Sequence, residues 1–319
     1  MKIKHLLLGL LAASLFVNAC KKNEDENSTP SPAPGTPAAT NPIRAYLADN
    51  LNDARQSFTV NASTGGGVQG SGGCHVQFAP GAFRSATGAI ITGTVQVKLI
   101  EVLSIADMVL LNKQTAGNYG GELRMLTSGG EVKIEASQGG NEVFIVPNGA
   151  VVSIPGSNVD PQMRVFSGTE DSDGDVTWNM TEDSIVVQDS AVWDTTGVNW
   201  FYYQFTADSL NWLNCDYFPA ASVTTMDIDA PDGFDAGNTM VWLVVPALNG
   251  VLGGWYYNGL FTTYQAPIGY AAVVVALHQD ADDNYFSSFT NITVATGMTV
   301  PITFLPTTLA QFEADVNAL

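Results

Sequence analysis

From residue 58 onward the apolar side chains of this sequence recur at every second position, in short runs rich in Val, Ile and Thr. A period of two matches the alternating faces of a β-strand and does not match a helix. Strands are predicted at 74–78, 93–102, 120–126, 131–136, 142–146, 151–154, 163–167, 176–178, 200–206, 223–228, 239–245, 270–277, 286–294 and 299–304. Turn pairs punctuate them: Asn148-Gly149, Asp173-Gly174, Asp232-Gly233, Asn249-Gly250 and Asn258-Gly259. A helix opens the folded part, with Asn41 as cap, Pro42 in the first turn, and Ile43, Tyr46, Leu47, Leu51 and Ala54 on one face. Another closes it, capped by Thr308 with Gln311 and carrying Leu309, Phe312 and Val316 on one face. The expected class is mainly β: two β-sandwich domains with short N- and C-terminal helices, behind a signal peptide and a flexible tether.

The N-terminus sets the compartment. Lys2 and Lys4 precede a twelve-residue apolar run, 6–17, which is too short to span a bilayer and fits a signal peptide. The run ends in Val17-Asn18-Ala19-Cys20, which resembles a bacterial lipobox, so Cys20 is expected to be lipidated. Lys21-Lys22-Asn23-Glu24-Asp25-Glu26 follows and resembles the export signal that sends Bacteroidota lipoproteins to the outer face of the outer membrane. Residues 27–41, rich in Pro, Ser and Thr, cannot bury apolar surface. At about 3 Å per residue they and residues 21–26 would together hold the folded part up to about 60 Å from the lipid. The domain expectation is a signal peptide at 1–19, lipidated Cys and tether at 20–42, and β domains at 43–222 and 223–319.

Two further resemblances support that division. Residues 73–83, with Pro80-Gly81-Ala82-Phe83 after a strand, then 92–101, Asp107-Met108, Gly121-Glu122 and 129–136, resemble ZU5-like β domains. The same order followed by Trp212-Leu213-Asn214-Cys215-Asp216 is similar to a family of Bacteroidota surface lipoproteins, in which Gly usually stands where this chain has Asn211. Pro267-Ile268-Gly269-Tyr270 before an apolar strand resembles the carboxypeptidase-regulatory-like, prealbumin-type sandwich. These resemblances imply a fold and a surface location, and no particular reaction.

Charge narrows the partners. The sequence holds 31 Asp and Glu against 12 Lys and Arg, a net charge of −19. Without residues 1–19 it would have 10 basic side chains and a balance of −21. So acidic a surface repels phosphates and argues against a nucleic-acid partner. No nucleophile elbow, zinc-peptidase motif or P-loop is present. His75 and His278 read as structural strand histidines. The glycines at 65–67 and 70–73 read as a flexible loop.

The remaining candidates are few. Cys74 and Cys215 are either a disulfide, favoured by an oxidising export route, or two buried thiols. Asp171, Asp173 and Asp175 alternate as in calcium loops, and Asp280, Asp282 and Asp283 form a second cluster; each reads as a solvated turn or, alternatively, as a Ca²⁺ site. Trp200, Trp255 and Tyr257 would suit a sugar-stacking platform, while Phe201, Tyr203 and Tyr256 are expected to face a core. Short sequons at Ser184, Ser190, Thr195 and Ser209 resemble Bacteroidota O-glycosylation sites and would mark 185–210 as exposed. The functional expectation is a non-catalytic, lipid-anchored cell-surface protein with a structural or adhesive role. Alternatives are a glycan-binding lipoprotein and a hydrolase with a carboxylate pair. Partners would be the outer membrane, through the lipid, and a surface glycan or protein; no cofactor beyond Ca²⁺ is expected.

Overall fold

The computed structural model describes residues 41–156, 160–190 and 200–319, and the side chains of all of these except 187–190 and 200. The signal sequence, Cys20 and the tether up to residue 40 lie outside the described residues. Strands hold 53% of the described residues and helices 11%, so the chain is mainly β, as its period of two requires.

Strands up to Tyr217 build one sandwich and strands from Val223 build a second. In the first, a nine-stranded sheet has Thr94–Val102, Thr127–Gln138, Asn211–Tyr217 and Arg164–Glu170 as antiparallel neighbours at its centre. A five-stranded sheet, with Ala150–Gly156 at its middle, covers one face. The alternate residues Val97, Leu99, Val132 and Ile134 meet Val76, Val152 and Phe205 in the core between them. In the second, a four-stranded sheet covers a five-stranded one through Ile228, Leu243, Phe261 and Val274.

A third core joins the two. The other face of the nine-stranded sheet contributes Ile100, Phe166, Trp178 and Trp212, and the other face of the second sandwich contributes Trp242, Val244, Val275 and Leu277. Between them sit α1 (Pro42–Asp53), α2 (Ile105–Leu110) and α3 (Leu309–Val316), through Ile43, Leu47, Met108, Phe312 and Val316. The described residues belong to one compact unit. The strands Thr239–Val245 and Ala271–Gln279 are therefore buried on both faces, which is why 271–277 reads as a continuous apolar run and does not alternate.

The caps act as the sequence suggests. Asn41 Oδ1 accepts the Ile43 amide at 2.9 Å, and its own amide donates to Ala236 and Thr239 carbonyls, tying α1 to the second sandwich. Thr308 Oγ accepts the Gln311 amide at 3.1 Å. Each such cap is worth about 1 kcal/mol. The sequence reading missed α2. Its signal was the reciprocal capping box of Ser104 and Asp107.

Two expectations need correction. The glycine-rich stretch is not a loop throughout, because Gly66–Gln69 is a strand paired with His75–Phe78. The turn after it wraps a carboxylate: Glu101 accepts the Gly72 and Cys74 amides at 2.8 and 2.7 Å. A side chain at Gly70 would collide with that carboxylate. Second, residues 185–210 are not uniformly exposed, since Tyr203 and Phe205 lie in the first core.

Candidate functional site

The strand Thr127–Gln138 carries Glu131, Lys133 and Glu135 at alternate positions on one face, and Asn211–Tyr217 carries Trp212 and Asn214 opposite Lys133 and Glu131. This charged row lies on the nine-stranded sheet. One end opens to solvent and the other runs beneath the third core.

At the open end is a cleft of about 930 Å³, lined by Arg55, Lys98, Lys133, Glu135, Glu142, Phe144, Glu170, Asp208, Ser209 and Asn211 among others. Its floor is an ion network. Lys133 Nζ lies 2.7 Å from Glu170 Oε2, and Trp212 Nε1 donates to the same oxygen at 3.0 Å. Lys113, only 2% exposed, donates to Glu170 Oε1 at 3.0 Å and to the Gly174 carbonyl. Both ammonium groups lie over the Trp212 ring, 5.2 and 5.3 Å from its centroid. Burial alone would raise the Glu170 pKa, but the bonds from Lys133, Trp212 and Lys113 pull it down to about 2. Glu135 is held by Arg55 at 3.4 Å. Lys98, opposite Glu135 in the ladder, has no ion pair among the described residues, and Phe144 is 42% exposed at the rim.

Asn211 lines this cleft with φ of 124°, a backbone region nearly restricted to glycine. Asn211→Gly is expected to stabilise the protein by about 1–3 kcal/mol, the usual cost of such strain. Urea denaturation checks this. A midpoint that stays or falls would mean that the Asn211 side chain contributes more than its strain costs.

The other sequence candidates lie elsewhere. Asp171 Oδ1 accepts the amides of Asp173 and Asp175, and Asp280 Oδ1 accepts those of Asp282 and Asn284, so both clusters are tips of hairpins with the same capped turn. Asp175 is further engaged by Asn112 at 2.9 Å and Arg44 at 3.5 Å, and Asp283 accepts from Gln279. Among the described residues no group of three or more His, Cys, Asp and Glu side chains is gathered to hold a metal ion. Trp255 leans on Tyr264 and Tyr257 is 65% exposed, both on the strand Trp255–Tyr257 of the second sandwich and away from the cleft. The backbone of Trp200 begins the strand Trp200–Ala207, and its side chain lies outside the described residues. Tyr256, expected in a core, is 39% exposed at this sheet edge. Cys74 and Cys215 are free thiols rather than a disulfide, both buried in the first core, and burial raises both pKa values. His278 is buried against Phe234 and bonded to Thr239, and burial lowers its pKa.

Of the cleft residues named above, Asn211 and Ser209 were singled out from the sequence, though not for a cleft, and the charged ones were not. Their signal was charge at alternate positions of a strand whose other positions are apolar.

No family model matches the chain, and no curated protein does. Among solved structures it is similar to a gamma-CGTase from alkalophilic Bacillus clarkii, at 11% identity and a TM-score of 0.20, over 76% of this chain and 40% of that one.

Proposed function

We propose that this is a non-catalytic lipoprotein of the bacterial cell surface, held by a lipid on Cys20, with an adhesive role exerted by holding a hydrophilic chain, a glycan, in the cleft beside Asn211. The observation that carries the reading is the cleft itself. It is large, open and lined by polar groups fixed on rigid strands, with one exposed ring, Phe144, at its rim. Sugars are bound by such combinations of fixed hydrogen-bonding groups and an aromatic face. Two of the acids there, Glu170 and Glu135, favour holding over cleaving. Glu170 has no proton to give at neutral pH, and Glu135 is tied to Arg55.

The expected result is that wild-type protein retains a subset of glycans on an array and that Phe144→Ala weakens retention about tenfold, the loss of roughly one stacking contact. Equal retention by both proteins, or none by wild type, would sink the cleft as a glycan site. The anchor is tested separately. Cys20→Ala should move the protein from the membrane to the soluble fraction, since a triacylated cysteine binds bilayers firmly. Continued membrane association would refute lipidation.

A further inference from the structure

Beneath the third core, the closed end of the charged row holds Glu131, Asn214 and Asp216, each fully buried. Glu131 and Asn214 are direct partners across the ladder, which sets their Cβ atoms about 5 Å apart on one face. Asn214 Nδ2 donates to Asp216 Oδ2 at 2.7 Å. Four oxygens then remain without a hydrogen-bond partner: both of Glu131, Oδ1 of Asn214 and Oδ1 of Asp216. Unpaired buried oxygens are costly, and two carboxylates so placed carry two negative charges into a dry interior.

We infer that Glu131, Asn214 and Asp216 form an interior site for one divalent cation, Ca²⁺ by its chemistry. All the free donors are oxygens, which selects a hard ion. Two carboxylates match its charge, and an amide oxygen with a bidentate carboxylate suits calcium's irregular shell. The local fold is shaped around the group. The ladder shifts between Asn214 and Asp216, and Gly129, beside the shift, admits no side chain because the Cys215 carbonyl is 2.7 Å from where its Cβ would be. Lys113, the buried base that acts on Glu131, already bonds to Glu170 and Gly174. The Asp-rich hairpins are not part of this site, because their carboxylates cap their own turns.

The test is metal content and thermal unfolding of the purified full-length lipoprotein in detergent, before and after EDTA, with Ca²⁺ added back. About one calcium per chain is expected, with a melting temperature that falls on chelation and recovers by about 5 °C or more at calcium well above its dissociation constant. Glu131→Gln should lose both the metal and the response, while Asp171→Asn and Asp280→Asn should keep them. Absence of bound metal in wild type together with an unchanged melting temperature at millimolar calcium would overturn the site, leaving the two acids as neutral, protonated groups. So would a response that survives Glu131→Gln but disappears in the hairpin variants. Should Glu131→Gln fail to fold, the wild-type metal content and calcium shift decide alone.

Discussion

Replacing Glu170 by glutamine is expected to destabilise the folded protein by about 3–5 kcal/mol, the cost of removing one partner of a buried ion pair. The substitution barely changes shape. It takes the counter-charge from Lys113, which is 2% exposed, and from Lys133, while Trp212 keeps its neighbours. The effect depends on pH with a definite sign. The Glu170 pKa is depressed in the folded state, so its stabilisation is present above the unfolded value of 4.5 and is lost as pH falls toward about 2. The gap between wild type and Glu170→Gln should therefore be widest at neutral pH and narrow through that window. Guanidinium denaturation at several pH values measures it. A gap that stays constant from neutral pH to about 2 would show that the carboxylate charge is not what stabilises the network.

Phe312→Ala is expected to cost a similar amount, about 3–5 kcal/mol, and to weaken both sandwiches at once. Phe312 is fully buried in α3, 5.9 Å from the Phe289 ring and 6.4 Å from that of Trp242, in the core that also contains Trp178 and Trp212 of the other sandwich. Tyr46 of α1 donates to Glu313 of the same helix at 2.6 Å, so α1 and α3 are tied together at this interface. Scanning calorimetry should show one cooperative transition in wild type and one in the variant, at lower temperature. Two transitions, of which the variant shifts only that of the second sandwich, would mean that the shared core does not couple them.

The class of fold was legible because alternation is a local signal. Runs such as 93–102 and 223–228 recover Thr94–Val102 and Val223–Asp229 nearly to the residue. The strand Asn211–Tyr217 escaped although Leu213, Cys215 and Tyr217 alternate in it, and nothing local shows that the intervening Asn214 and Asp216 are buried. Those residues are buried only because a second sheet and three helices cover that face, and coverage is a tertiary fact. The cleft was hidden for the same reason. Arg55, Lys133 and Glu170 are far apart in sequence and meet only through the ladder linking Thr94–Val102, Thr127–Gln138, Asn211–Tyr217 and Arg164–Glu170. The Asp clusters were legible as turns. Their spacing suits calcium, and it suits equally a side chain that accepts two amides of its own turn.

The doubly buried strand Ala271–Gln279 also has a consequence before folding. An uncharged stretch of Ala, Val and Leu, such as 271–277, is the composition that self-associates edge to edge when a chain is unfolded. Asp280, Asp282 and Asp283 follow it at once, and charges in that position oppose such pairing. The acid-rich hairpin tip thus opposes mispairing of its own strand before the chain has folded, apart from the turn it makes afterwards.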